Sequence, residues 1–405
     1  MNNLLYLYPL FFGLFLYRTS HKKQHPTFLT ILILYLAASI SAIYVSTSIG
    51  YQENINLSFI AIGYHCIAML LLLYPFKSFD GFRQKQLFPA TNEYLYILTF
   101  VVVLCTMTHI MLSAGEINMQ LLLTDAKELR ALLGEGAPST QDRYTYTLNR
   151  MGGVLSGPAM ALAFYYVVKK PSQRVLIAVL FLCSGASIIS GMRVGAREYY
   201  VKYFFEFIML FVLLSPQMHN KWKARLKNGG FVLTVLMISF FAIITIARFT
   251  DSDHYGSPFE SLFAYLGQGM LFFSGTFIDF PEGIAGGGMC YPALVGHSFN
   301  RMGLNEVLIS DRALNTFSTT IGSWVFDMGI VVTMLLCVVY FFVFRYIGKR
   351  SLNVYTLIYL VWAYEFVFSA LFFYNSVLDV QRLFCYFLVI FLDVLDRGKI
   401  KNGFI

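Results

Sequence analysis

Charge is what this sequence has least of. Only 13% of its 405 residues are Asp, Glu, Lys or Arg, against 57% apolar, and the mean hydropathy is clearly positive. Soluble domains carry roughly 25% charged residues, so a soluble globular class is excluded. Loop cysteine is nearly lacking. Cys66, Cys105, Cys183, Cys337 and Cys385 fall inside apolar runs and behave as small hydrophobes. Cys290 alone stands in a polar stretch, which leaves it no second loop cysteine to bridge, and no Cys/His spacing resembles a zinc site. Walker-type and dinucleotide glycine motifs are absent and the expected inner loops are short, so direct ATP or NAD use is not expected and no cofactor is expected. No basic stretch is long enough to track a duplex, which excludes nucleic acid as a partner. Met1 to Tyr17 lacks a basic leader region and no small-residue cleavage site follows it. The basic cluster Arg18, His21, Lys22, Lys23 comes after the apolar run, so this run reads as a retained first span with its N-terminus outside.

What is present is a row of apolar runs, most of them at least 17 residues long and able to cross a hydrocarbon core of about 30 Å. Eleven are expected, at 3–17, 27–49, 57–75, 94–113, 151–168, 175–190, 203–215, 230–247, 318–344, 353–374 and 377–394. The fold class is therefore an all-α polytopic integral membrane protein, one transmembrane domain over residues 1–405. Orientation follows from Lys and Arg. One set of loops and the C-terminal tail hold 19 basic residues; the opposite, much longer set holds 11. The positive-inside rule puts the first set in the cytoplasm, with the N-terminus outside and the C-terminus inside. The net charge of +8 mostly reflects this sorting and contact with anionic lipid head groups.

Two long outer loops stand out, 114–150 and 248–317. In the first, Asp125 is expected to cap a short helix that Gly134, Gly136 and Pro138 would end. The second carries a Gly286-Gly287-Gly288 turn, two of the seven histidines and many of the outer charges. Long insertions with polar chemistry are usually functional. Within it, Phe259 to Phe280 is apolar, but a crossing there would turn Arg345, Lys349, Arg350, Arg397, Lys399 and Lys401 outward. It is therefore expected as an interfacial helix, with Phe259, Leu262, Phe263, Leu266 and Met270 on the apolar side and Ser261, Gly267 and Gln268 on the other.

Three arginines sit where the positive-inside rule disfavours them. Arg193 and Arg197 lie four apart in the short hairpin 191–202, with Gly195 between them, and Arg248 ends the eighth span on the same side. One reading is snorkelling to lipid phosphates, or pairing of Arg197 with Glu198. The other is a phosphate site, because guanidinium binds phosphate bidentately, keeps its charge, and neutralises a pyrophosphate leaving group. The candidate base for a sugar hydroxyl is His297 or Asp253, each open to a plain loop role, Asp253 as a partner of Arg248. His65 and His109 sit inside spans and read as hydrogen-bonding to neighbouring helices. Glu206 and Glu365 are intramembrane carboxylates and functional suspects, though Glu206 can pair with Lys202. The 27 Tyr and 40 Phe fit interfacial belts.

At Asn315-Thr316-Phe317 and Phe326-Asp327-Met328-Gly329 the chain resembles the bacterial oligosaccharide repeat-unit polymerases, the O-antigen polymerase family. The layout is similar as well: about eleven spans, rim arginines and one dominant outer loop. The resemblance implies a GT-C-like glycosyltransferase of the bacterial inner membrane with its active site facing the periplasm. It would join repeat units carried on undecaprenyl pyrophosphate, without a metal. Arg193, Arg197 and Arg248 would hold pyrophosphate, and a chain-length regulator would be a partner. The related O-antigen ligases carry a loop histidine followed by Asn, Ser or Gln, which His297-Ser298 matches, while Arg301 departs from that pattern. A lipid-linked oligosaccharide flippase, a ligase and, more weakly, a membrane acyltransferase are the competing readings.

Overall fold

The computed structural model describes residues 3–20, 25–47, 57–117, 143–194, 198–249, 258–276, 281–284, 286–288, 290–296, 319–372 and 378–401. Among them there is no strand. In chain order the helices are α1 (Leu7–Ser20), α2 (Pro26–Thr47), α3 (Phe59–Leu73), α4 (Phe76–Asp80), α5 (Asn92–Ala114), α6 (Arg143–Lys169), α7 (Arg174–Ser184) and α8 (Ala186–Val194). They continue with α9 (Glu198–Leu214), α10 (Asn220–Phe249), α11 (Pro258–Thr276), α12 (Pro292–Val295), α13 (Thr320–Lys349), α14 (Val354–Phe372) and α15 (Val380–Lys401). In hydrocarbon every backbone polar group must be satisfied within its own segment, which a helix does. Among the described residues seven stretches are long and apolar enough to cross a membrane: Pro26–Thr47, Phe59–Gln84, Asn92–Ala114, Tyr146–Lys169, Arg174–Arg193, Tyr199–Gln217 and Thr320–Lys349.

The chain forms two compact units built from alternating stretches. The first comprises 1–81, 252–349 and 365–379; the second comprises 82–251, 350–364 and 380–405. In the first unit α2 begins at a proline, and its next two amides, of Thr27 and Phe28, donate to the two oxygens of buried Asp80 at 3.0 Å each. A carboxylate at a helix N-terminus satisfies donors that the helix leaves unpaired. In the second unit α5 and α6 cross closely at Gly152, where a Cβ would meet the Cβ of His109 at 2.5 Å. At the expected inner end, buried Asp393 accepts from Arg397 Nε (2.7 Å), Arg350 Nη1 and the Tyr359 hydroxyl, and the amide of Thr91 donates to Asp396 (2.8 Å).

Two expectations need correction. The helix over 259–280 is present as α11, but the side expected to face away from the apolar phase is buried. Gln268 is buried, and a Cβ on Gly267 would overlap the backbone of Ser41 and Ala42 in α2. Between apolar helices a small residue is a packing seam that lets backbones approach. The expected single span at 318–344 is also broken. Gly329 has φ 81° and ψ 173°. Trp324 and Tyr340 would lie roughly 24 Å apart along an unbroken helix, yet their ring centroids are 5.5 Å apart. Residues 320–328 therefore fold back against 330–349 as a short half-helix, and residues 320–327 are buried without exception.

Candidate functional site

The residues expected to do chemistry distribute unevenly over this fold. Arg197, Asp253 and His297 lie outside the described residues. So does most of loop 114–150, with its expected Asp125-capped helix. Arg248 falls on the last turn of α10, and its side chain is outside the described set. Arg193 is described fully. It stands in the last turn of α8, and its Nη1 donates to Glu116 Oε2 at 2.6 Å. The two side chains are 34% and 42% exposed, so solvent screens the pair and little stability rests on it. Its Nε is buried and has no hydrogen-bond partner among the described residues. Glu116, just beyond α5, is the partner that the sequence reading did not weigh. It lies 77 residues away in the chain, and nothing in the local pattern marks it.

One turn before Arg193, Ser190 meets His109. His109 Nδ1 lies 2.8 Å from the carbonyl of Asn149, and its Nε2 lies 2.6 Å from Ser190 Oγ. A carbonyl only accepts, so Nδ1 carries a proton. Both bonds go to neighbouring helices, as expected of a histidine inside a span. Glu206 is buried in α9.

The other polar centre is in the first unit, at the Phe326-Asp327-Met328-Gly329 motif. Asp327 is buried in the half-helix, and its oxygens accept from the amides of Gly287 (2.9 Å) and Cys290 (2.8 Å). Next to it the backbone pairs twice more: Ile284 N–H donates to the Phe326 carbonyl (2.7 Å) and Ile330 N–H donates to the Pro281 carbonyl (3.0 Å). The left-handed Gly283 packs against Gly329 there, and a Cβ on Gly329 would stand 2.6 Å from the Glu282 carbonyl carbon. Gly287, at φ 95°, allows the turn that brings its amide to the carboxylate. The segment 281–296 is thus hung on the break in α13. Cys290 is buried, its thiol donates to the Ser323 carbonyl (3.9 Å), and its amide serves the clamp. Tyr291 packs on Trp324, and burial pushes its phenol well above the ordinary value, so it stays neutral. The segment ends on Gly296, left-handed at φ 75°, which caps α12 directly before His297.

This arrangement positions a loop; it does not itself supply a nucleophile or base. Among the described residues no group of three or more His, Cys, Asp or Glu is placed to hold a metal ion.

Neither a family model, nor a curated protein, nor a solved structure matches the chain. The functional reading therefore rests on its own residues.

Proposed function

We propose that this protein is a glycosyltransferase of a bacterial cytoplasmic membrane, with eleven crossings, that polymerises oligosaccharide repeat units carried on undecaprenyl pyrophosphate. The hydroxyl of one lipid-linked unit attacks the anomeric carbon of the donor glycan. The bond to the pyrophosphate oxygen breaks, and the lipid pyrophosphate leaves with the electron pair. Arg193, Arg197 and Arg248 neutralise the departing charge, and His297 or Asp253 takes the hydroxyl proton. Basic residues concentrated on one set of loops support a periplasmic placement of these groups.

The observation that carries the reading is the role of the motif that resembles the O-antigen polymerases. Its Asp327 and Gly329 are the residues on which the outer segment 281–296 is fastened. A motif that fixes a loop next to a candidate base has a reason to exist in a loop-based enzyme.

A flippase for the same lipid-linked glycan is a second reading, since it would also need a cationic site for pyrophosphate, although no repeated halves are visible in the sequence. Glycan profiling of a strain deleted for the gene separates these. A surface lipid carrying a single repeat unit supports the polymerase. Full-length polymer held on the prenyl carrier indicates a ligase, and single units accumulating inside indicate a flippase.

A further inference from the structure

A chain of buried polar groups in the first unit links both ends of the segment 277–318. Ser274 lies near the end of α11, and Thr319 directly precedes the half-helix of α13. Between them stand Tyr8 of α1 and His65 of α3. Tyr8 Oη is 2.8 Å from Ser274 Oγ and 3.0 Å from His65 Nδ1, and His65 Nε2 is 3.1 Å from Thr319 Oγ1. All four side chains are buried, and the His65 ring stacks on Phe273 at 4.5 Å.

The donor directions can be worked out from the two ends. Ser274 Oγ donates to the carbonyl of Met270 (2.8 Å), so its single proton is taken and it accepts from Tyr8. Tyr8 then accepts from His65 Nδ1–H. That leaves Nε2 as the acceptor, and it receives the proton of Thr319. Thr319 Oγ1 in turn accepts the amide of Gly322 at 3.2 Å in the first turn of the half-helix. Every proton points the same way, from the start of the half-helix to a carbonyl of α11. Of the two neutral tautomers of His65, the Nδ1–H form fits both neighbours.

We propose that His65 is a positioning residue for the outer-face reaction: with Tyr8 it staples the two ends of the 277–318 segment in one register while touching no reactant. The assignment rests on the polymerase reading for its consequence, but the staple itself is testable without activity. Two clamps then hold one loop. Asp327 fixes its middle and His65 fixes its ends. A polar chain in an apolar surround is costly when half satisfied, so loss of the central member releases the whole set.

The test uses the full chain in lipid vesicles, with His65→Ala, His65→Gln and Tyr8→Phe. Hydrogen exchange is read at the amides of Gly322, Ser323, Gly287 and Cys290, with the amide of Ala90 in the other unit as a fold control. A synthetic prenyl-pyrophosphate-linked repeat unit gives kcat and KM. His65→Ala is expected to speed exchange at the four amides by about tenfold, the loss of one buried hydrogen-bonded link, and to leave Ala90 unchanged. It is expected to lower kcat by about tenfold or more with little change in KM, as for a misplaced reacting group. His65→Gln, whose amide offers one donor and one acceptor, recovers most of both effects, and Tyr8→Phe falls between. Unchanged exchange in His65→Ala overturns the staple. Faster exchange with unaltered kcat overturns the positioning role. A wild-type chain that makes no polymer sinks the polymerase reading and the positioning role with it, while exchange still decides the staple.

Discussion

The two polar centres differ in how they satisfy their charge. Asp327 is buried and answered by two backbone amides, while Arg193 is partly exposed and answered by one carboxylate that solvent also reaches. The first arrangement is expensive to disturb, because removing the carboxylate strands two buried N–H groups. The second is cheap to open, because an exposed ion pair is worth little and its members can exchange partners. A group that holds a loop needs the first property. Under the proposed function, a group that takes up and releases a pyrophosphate needs the second.

Substitutions can break this contrast, and the largest effect belongs to the clamp. Asp327→Ala is expected to destabilise the chain by about 2–5 kcal/mol, from two stranded amides. The check is thermal unfolding of the protein in lipid, and Asp327→Asn, which keeps one acceptor, should lose about half as much. Gly329→Ala comes next. It forces a side chain into a left-handed position against the Glu282 backbone, at a cost of about 1–3 kcal/mol, readable in the same melt. Arg193→Ala should reverse the pattern, with stability nearly unchanged and polymer formation reduced by about a hundredfold, the scale of one lost transition-state donor. Arg193→Lys should not restore it, since an ammonium cannot reproduce the fork. Glu116→Gln is the smallest. It should shift stability by less than about 1 kcal/mol and lower KM for the prenyl-pyrophosphate substrate, because the carboxylate no longer competes for the guanidinium. A raised KM would show that Glu116 orients Arg193 instead of competing with its ligand.

The all-helical character and the positions of the apolar helices were legible, because each apolar run is its own signal and a helix satisfies its own backbone. The roles of the two histidines inside spans were legible too: His65 and His109 both bond neighbouring helices, as residues inside spans were expected to. The break in α13 was not. Glycine is common in membrane helices, and nothing around Gly329 distinguishes a tolerated glycine from one at φ 81°. The face of α11 was misread because an amphipathic pattern assumes water on the polar side, whereas Gly267 and Gln268 face protein. Pairings between distant segments, Glu116 with Arg193 and Asp327 with Gly287 and Cys290, leave no local mark of which residues are the partners. Asp327 carried one clue, an acidic residue inside an apolar run, which ordinarily marks a special role.

The most direct test of the account is polymer formation by the purified chain in vesicles supplied with a single synthetic repeat unit on undecaprenyl pyrophosphate. A ladder of lengthened glycans with release of lipid pyrophosphate is expected without added metal, and the ladder is lost in Arg193→Ala. Movement of the labelled lipid across the bilayer with no lengthening would contradict the polymerase proposal and make Arg193, Arg197 and Arg248 a transport site.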